Sequence, residues 1–261
     1  MKTAYLRFYE ELNDFLPTEK RKKQIIHHFW GQPSVKDMIE SLGVPHTEID
    51  LILVNGESVD FNYLVKDQDR ISVYPEFESI DISNIQKLRP KPLRKPKFIC
   101  DVHLGKLARN LRMFGFDVYY ENNLNDEQIV EISLNQKRTI LTRDLGILKR
   151  KDVLRGYFVR EDDPQKQLEE VIKRFDLLSL IKPLTLCLEC GGKLIRIPRK
   201  KIPNFELLPE KVKASQNKFF ICKECKNLYW KGTHYNSMKT FMNNFIHILK
   251  QSKKDLMNSS K

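Results

Sequence analysis

The chain has 261 residues, of which 41% are hydrophobic and 31% charged, a composition typical of globular proteins rather than disordered or fibrous ones. It lacks a run of about 18 apolar residues, which a membrane-spanning helix needs, and its first residues lack the apolar core of a signal peptide. Its five cysteines are too few for a disulfide-stabilised secreted scaffold. We therefore expect a cytoplasmic protein of two or three domains, at roughly 100 to 200 residues per domain.

The formal net charge of +12 is unevenly distributed along the chain. Residues 1–80 carry 9 basic and 14 acidic residues (−5), residues 81–97 carry +5, residues 98–184 carry +1 and residues 185–261 carry +11. Nucleic acid is the expected partner of the two strongly basic segments. The acidic first segment is expected to repel such a partner and to have another role.

The first segment has the pattern of a small α+β domain. Alternating apolar residues predict a strand around Ala4 to Phe8, with residues 25–30 as its hairpin partner. A helix is predicted after Ser34, and further strands at residues 50–54 and 70–74. The order ββαββ is that of a β-grasp domain.

Two stretches of this segment, LILVNGESVD and DQDRISVYP, resemble the ubiquitin-like sulfur-carrier proteins. In those proteins the last strand precedes a C-terminal Gly-Gly that is activated. Here the chain continues through PEFESID, so carrier chemistry is not expected. We interpret residues 1–80 as a docking or structural module, to which a protein partner could bind.

Residues 81–97 contain six basic residues and three prolines, which predicts an extended linker. From Phe98 onward, predicted strands at 98–100, 118–120, 139–142 and 157–159 alternate with helices, and a helix begins at Pro164. Alternating strands and helices indicate an α/β domain with a parallel sheet and right-handed crossovers.

Three aspartates are predicted to converge at one edge of this sheet. Asp101 follows the first strand, Asp144 follows the third, and Asp126 lies in the first turn of the intervening helix. The carboxyl ends of neighbouring parallel strands form one crevice. Converging carboxylates repel one another, and oxygen ligands select Mg²⁺ or Mn²⁺, so we predict a divalent-ion site suited to phosphodiester hydrolysis. Taken singly, each aspartate is better explained as a cap or turn residue, and only their joint placement at the strand ends favours the ion site.

Arginines near these aspartates are candidate phosphate ligands. Arg109 and Arg112 lie one turn apart on the first helix of this domain, where they either bind phosphate or form a solvated face. Arg143 adjoins Asp144, where it either contacts phosphate or compensates the negative charge of the carboxylates.

At these residues the chain resembles a known family. The stretches FICDVHLGKLARNLRMFGFDVYY, TILTRDLGILKR and QLEEVIKRF are similar to the PIN-like RNase family named after the C-terminal region of the mut-seven exoribonuclease. Residues 1–80 resemble the ubiquitin-like module often fused ahead of it. The resemblance implies a metal-dependent RNase whose acidic residues are Asp101, Asp126 and Asp144, with Arg109 and Arg143 in motif positions. His103 departs from the family pattern, in which an apolar residue is expected.

Two C-x-x-C pairs near the C-terminus predict a structural zinc site. They comprise Cys187 with Cys190 and Cys222 with Cys225. Four thiolates complete a tetrahedral Zn²⁺ site with no open position. A redox role for either pair is less favoured, because neither pair opens a helix in a thioredoxin-like setting.

Basic and aromatic residues around these pairs suit single-stranded RNA. The predicted RNA-binding residues are Arg112, Arg199, Lys200, Lys201, Tyr229, Trp230, Lys231 and His234. As alternatives, Trp230 covers the cysteine pairs and His234 caps a turn. A helix is predicted to about Leu249, followed by a frayed basic end.

These patterns together predict four segments: a β-grasp ubiquitin-like module (1–80), a basic Pro-rich linker (81–97), a PIN-like RNase domain (98–182) and a zinc ribbon with a basic tail (183–261). The leading hypothesis is a metal-dependent ribonuclease that holds RNA on its ribbon. Two alternatives stay open: a non-catalytic RNA-binding or adaptor protein, and a toxin-like nuclease restrained by its N-terminal module.

Overall fold

The computed structural model describes residues 1–75, 88 and 96–259, with side chains described to residue 252. Of the predicted linker 81–97, only residues 88, 96 and 97 fall within this part of the chain. None of the helices in the described ranges combines the length and apolar character that crossing a membrane requires. The described chain divides into two compact units, one made of residues 1–75, 88, 96–103 and 124–159 and the other of residues 104–123 and 160–259.

The first unit begins with a mixed sheet and one helix. Its elements are β1 (Lys2–Phe8), β2 (Ile25–Phe29), α1 (Val35–Ser41), β3 (Ile49–Val54), β4 (Glu57–Ser58) and β5 (Arg70–Pro75). The five strands lie in the order β2-β1-β5-β3-β4, with β1 antiparallel to β2 and parallel to β5. This arrangement confirms the predicted β-grasp fold, with β4 as an additional short strand.

The alternation of apolar and polar residues in β1 explains how this sheet packs. Leu6 and Phe8 are buried in the same core as Met38 and Ile39 of α1, so the helix covers one face of the sheet. The side-chain oxygen of Ser34 accepts a hydrogen bond from the Asp37 amide (3.1 Å) and caps α1, as predicted.

The remaining chain alternates strands and helices. In order they are β6 (Phe98–Cys100), α2 (Gly105–Met113), β7 (Val118–Tyr119), α3 (Asp126–Gln136), β8 (Thr139–Thr142), α4 (Leu145–Leu148), β9 (Gly156–Phe158), α5 (Pro164–Arg174), β10 (Leu194–Ile197), α6 (Glu210–Ser215), β11 (Phe219–Cys222), β12 (Leu228–Trp230) and α7 (Thr233–Ser259).

A parallel sheet of β6, β8 and β9 completes the first unit. Phe98 pairs with Thr139, and Ile140 pairs with Gly156. Every residue of β6 and β8 is buried, as is usual for parallel strands covered on both faces. Asn125 and Gln128 form a capping box at the start of α3, as an Asn followed three residues later by Gln indicates in the sequence.

The N-terminal module (residues 1–75) contacts β9 and the loop before it within this unit. The Phe158 amide donates to Glu48 Oε1 (2.6 Å), and the rings of Phe15 and Phe158 meet edge to face. His46 Nε2 lies 2.8 Å from the Val153 carbonyl oxygen. Because a carbonyl only accepts, this nitrogen carries the proton.

The second unit contains α2, β7, α5, the ribbon and α7. Strand β11 pairs in antiparallel fashion with both β10 and β12, and α2 packs against α5. Helix α7 contacts α2 through Phe241 and Phe245, whose rings lie 6.3 and 5.4 Å from that of Phe114. The prediction that this helix ends near Leu249 was wrong, because residues 250–259 contain no Gly or Pro to terminate it.

Candidate functional site

Two neighbouring strand ends carry Asp101 and Asp144. Because β6 and β8 pair in parallel, the residues that follow them lie at the same edge of the sheet. Asp101 is only 4% exposed, whereas Asp144 and Asp126 are exposed. All three aspartates belong to the first compact unit.

The hydroxyl of Thr142 connects the two strand-end aspartates. It donates to Asp101 Oδ2 (2.7 Å) and accepts from the Asp144 amide (2.9 Å), and Thr142 is completely buried. Asp101 Oδ1 also accepts from the His103 amide (3.0 Å). Sequence reasoning missed Thr142; its only signal was a hydroxyl residue two positions before Asp144, at the end of an apolar strand.

Asp144 has a second role as a helix cap. Its Oδ1 atom accepts from the Gly146 amide (2.6 Å) at the start of α4. The cap explanation that holds for a single aspartate is therefore correct for Asp144. It does not conflict with a ligand role, because a carboxylate has two oxygens and several lone pairs.

Asp126 is electrostatically coupled to the other two aspartates. Burial raises its pKa above the ordinary value, and the carboxylates of Asp144, Glu127 and Asp101 raise it further. Arg150 acts in the opposite direction. Asp101 and Asp144 thus lie close enough to Asp126 to disfavour its ionisation, which is a condition that favours binding of a divalent cation.

The three carboxylates do not share a ligand sphere as they stand. In the described part of the chain, the four ribbon cysteines form the group of potential metal ligands whose ligand atoms all lie within 4.8 Å of one another, counting groups of three or more His, Cys, Asp or Glu residues. The aspartates are spread more widely, and both oxygens of Asp101 already accept hydrogen bonds. Their donor set, made of oxygen alone, still fits Mg²⁺ or Mn²⁺ better than Zn²⁺.

Two arginines lie near this acidic group. Arg143 is exposed and its Nη1 donates to the Val159 carbonyl (3.2 Å). Arg150 forms ion pairs with Glu127 (3.2 Å) and Asp152 (3.5 Å). Arg143 was predicted, whereas Arg150 was not, because its link to the acidic group depends on the position of α3.

Arg109 and Arg112 differ sharply although they lie one turn apart on α2. Arg112 is 2% exposed, and its guanidinium donates to the carbonyl oxygens of Val118, Tyr120, Leu188 and Glu189. The prediction that Arg112 binds RNA was therefore wrong, because backbone carbonyls already occupy its donors. Arg109 points outward and pairs with Glu189 (2.7 Å), with both side chains more than half exposed.

A groove of about 900 Å³ lies in the second unit. Its cationic side chains are Lys106 and Arg109, and its apolar lining includes Met113, Met238 and Phe241. The other lining residues are Asn110, Asp163, Pro164, Gln165, Leu188, His234 and Ser237. The structure thus brings together Arg109 and His234, which the sequence suggested separately.

The four cysteines of the ribbon form one cluster that could hold a metal ion. The sulfur of Cys187 lies 3.5 Å from that of Cys225, and the sulfur of Cys190 lies 3.4 Å from that of Cys222. Tetrahedral zinc with Zn–S bonds of about 2.3 Å requires sulfurs about 3.8 Å apart. The cluster therefore fits zinc, and its fourfold sulfur donor set leaves no place for a substrate.

Tyr229 supports this cluster. Its hydroxyl lies 3.0 Å from the Cys187 sulfur. Burial raises the pKa of the Cys187 thiol, but hydrogen bonds from this hydroxyl and from backbone amides outweigh burial and bring the pKa to about 7. Burial also raises the pKa of Tyr229, and its bond to Cys187 adds to the rise. The sequence suggested that Trp230 covers the cysteine pairs, whereas the aromatic residue that bonds to the cluster is Tyr229.

The other predicted RNA-binding residues lie on the ribbon surface. Arg199, Lys200 and Lys201 form an exposed 3₁₀ turn, with the Arg199 guanidinium 4.6 Å above the Phe205 ring. Trp230 is half-buried, and Lys231 Nζ lies 5.4 Å from the Tyr235 ring centre.

Comparison with known proteins identifies both parts of the chain. Residues 96–242 match the family model of the Mut7-C RNAse domain, and residues 1–81 match that of the Mut7-C ubiquitin domain. The first match spans the three aspartates and the four cysteines. No curated protein and no solved structure matches the sequence.

Replacing Arg112 is expected to destabilise the second unit strongly. Arg112→Met leaves several buried carbonyls without their donor, so the free energy of unfolding should fall by roughly 2–4 kcal/mol. Arg109→Met, one turn away and exposed, should change it by less than about 0.5 kcal/mol. Urea denaturation of both variants measures the difference, and equal effects would contradict the structural role of Arg112.

Protein purified without added zinc is expected to contain about one zinc ion per chain by elemental analysis. Cys222→Ser should lose the metal and unfold the ribbon, because metal binding supplies folding free energy to a small domain. The matched control is Cys100→Ala, which alters the one cysteine outside the cluster and should retain zinc. A folded, zinc-free chain that chelators do not affect would refute the assignment.

The coupling of Asp126 predicts a pH-dependent stability in metal-free protein. Because the folded-state pKa of Asp126 is raised, its ionisation destabilises the fold as pH increases through the ordinary value of about 3.9. Asp126→Asn should therefore raise the urea midpoint at pH 7 but leave it unchanged well below that pKa. Glu127→Gln should act oppositely at pH 7, because backbone and Arg150 contacts lower the pKa of Glu127. A stabilisation by Asp126→Asn that is the same at all pH values would contradict the coupling.

Proposed function

Because the chain belongs to the Mut7-C RNAse domain family, we propose that it is a metal-dependent ribonuclease whose active site comprises Asp101, Asp126 and Asp144. Family membership supports a nuclease-like role in general. The metal dependence, the catalytic residues and the RNA contacts are the content of the proposal.

One observation carries the assignment of the site. The Thr142 hydroxyl is shared between the Asp101 carboxylate and the Asp144 backbone, so two acidic residues are held at the ends of adjacent parallel strands. A cap at Asp144 does not require a second carboxylate beside it, yet Asp101 is buried there and its oxygens accept hydrogen bonds from Thr142 and His103. This supports a role that the two aspartates share.

The three aspartates of this site are the proposed ligands of a cation. Asp101, Asp126 and Asp144 would hold Mg²⁺ or Mn²⁺, which when bound lowers the pKa of a water and stabilises charge on the phosphate. Thr142 fixes the orientation of Asp101, while Asp126 contributes a carboxylate whose ionisation is disfavoured until positive charge is present. Arg150 supplies part of that charge.

The groove of the second unit is the proposed site for the RNA strand. Lys106 and Arg109 are placed to contact phosphates, and Phe241 and Met238 offer an apolar surface to a base. The Arg109–Glu189 pair is exposed, and such pairs contribute about 1 kcal/mol or less. A phosphate can therefore replace the glutamate at little cost.

The decisive experiment is RNA cleavage in Mg²⁺ or Mn²⁺ by wild type and by an Asp101→Asn, Asp144→Asn double variant. Asparagine keeps the shape of the side chain and removes the charge, so the double variant should be folded and inactive. Thr142→Val keeps all three carboxylates but removes the hydroxyl that bonds to Asp101 and to the Asp144 amide. It should lower activity by about 10- to 100-fold and weaken Mn²⁺ activation.

The control is Asp14→Asn, which removes one exposed carboxylate elsewhere in the same unit and should retain full activity. Full cleavage by the double variant, with contaminating nuclease excluded, would refute the site. RNA binding without cleavage by the wild type under any divalent ion would favour the non-catalytic RNA-binding alternative instead.

A further inference from the structure

The N-terminal sheet has one face that α1 does not cover. Leu6 and Phe8 of β1 point into the core beneath α1, so the alternate residues Tyr5, Arg7 and Tyr9 lie on the opposite side. In β5 the same alternation buries Ile71 and Val73 and puts Arg70 and Tyr74 on that side. We call these residues the outer face, together with Ile26 and His28 of β2 and Trp30, which follows β2.

Charge is segregated within the N-terminal module. Residues 1–80 contain 14 acidic and 9 basic residues, yet β1, β2 and β5 contain no acidic residue. Seven of the nine basic residues lie in these strands or in the run just before β2: Lys2, Arg7, Arg70, Lys20, Arg21, Lys22 and Lys23. Of these, Arg7 and Arg70 lie on the outer face, which thus carries two arginines although the module as a whole is acidic.

Aromatic rings on the outer face are already arranged for stacking. The rings of Tyr9 and Tyr74 stack with centroids 4.3 Å apart and planes inclined by 12°. The Arg7 guanidinium lies 5.3 Å from the Tyr9 ring centre. Rings and a cation held together in this way favour further stacking by a planar group that carries negative charge nearby.

The open edge of the sheet extends this surface. Strand β2 lies at one edge of the sheet, and Ile26 and Trp30 are 60% and 76% exposed. His28 lies between them and bonds through Nδ1 to the Thr3 hydroxyl (3.1 Å). The edge therefore presents a large exposed aromatic ring at one end of β2, and the basic run of residues 20–23 precedes the other end.

We propose that the outer face binds single-stranded RNA, with Tyr9, Tyr74 and Trp30 stacking on bases and Arg7 and Arg70 contacting phosphates. This inference rests on the proposed function, because it assigns a second contact surface to the same substrate class. It also revises the expectation, drawn from net charge alone, that the N-terminal module repels RNA.

The chemistry of the face favours unpaired RNA over other partners. Rings on a flat sheet can stack only with bases that are not already stacked in a duplex. Arginines on strands that contain no acidic residue complement a phosphate backbone. A docking site for a protein would be expected to offer paired charges of both signs at its rim.

The test uses the full-length Asp101→Asn, Asp144→Asn chain, so that cleavage does not compete with binding, and a fluorescent 12-nucleotide uridine RNA. Arg7→Ala, Arg70→Ala is compared with Lys36→Ala, Lys66→Ala, which removes the same charge from the same module outside β1, β2 and β5. The arginine pair should lower affinity at least fivefold and reduce the salt slope by about 1.4, whereas the lysine pair should change affinity by less than about twofold. Trp30→Ala should lower affinity at least about fivefold.

The outcomes separate this inference from the proposed function. If the parent binds RNA and Lys106→Ala, Arg109→Ala weakens binding while the outer-face variants do not, the inference is wrong and the groove remains the RNA site. If the parent binds no RNA, both fail. Equal binding of a 12-base-pair RNA duplex would also overturn the inference, since it would show attraction by charge without stacking. Unchanged melting temperatures establish that the variants are folded.

Discussion

The parallel pairing of β6 with β8 is the constraint on which the candidate active site depends. It brings the ends of two strands, whose paired residues are 41 apart in sequence (139 − 98), to one edge of a sheet, and the register from Phe98 with Thr139 onward fixes which residues come next. The single hydroxyl of Thr142 then donates a hydrogen bond to the Asp101 carboxylate and accepts one from the Asp144 amide. Since both strands are wholly buried, the register cannot slip without exposing apolar residues, and the core therefore holds the acidic pair together with the Thr142 hydroxyl.

The second unit shows how burial assigns different tasks to chemically identical side chains. Arg112 and Arg109 are both on α2, but the first faces β7 and the cysteine-bearing loop while the second faces solvent. A buried guanidinium has five N–H donors to satisfy, and four backbone carbonyls accept from Arg112. The result is a cation that ties a helix to the loop carrying Cys187 and Cys190, whereas Arg109 is left free to exchange its glutamate for another anion.

The N-terminal module illustrates a limit of arguments from net charge. A count of charges over a segment predicts its long-range field, but a ligand meets only the face it touches. Here β1, β2 and β5 carry arginines and aromatic rings, while the acidic residues of the described part of the module lie in α1, β3 and β4 and in turns and 3₁₀ segments. Glu48, for example, accepts a hydrogen bond from the Phe158 backbone, so part of the negative charge is used inside the first unit. The same composition thus supports a cationic surface on an acidic module.

The sequence by itself determined the elements and their chemistry. Local patterns were sufficient for the β-grasp order, the parallel strands, the capping box at Asn125 and the four-cysteine cluster, because period, caps and ligand spacing are short-range properties. Only the tertiary structure decided which side chains are exposed to a ligand and which are already bonded within the protein. The burial of Arg112, the use of Tyr229 by Cys187, the bridging hydroxyl of Thr142 and the charge on the outer face all depend on contacts between residues distant in sequence or on which face of an element is covered. Residue type and spacing do not encode such contacts, because each is set by how whole elements pack.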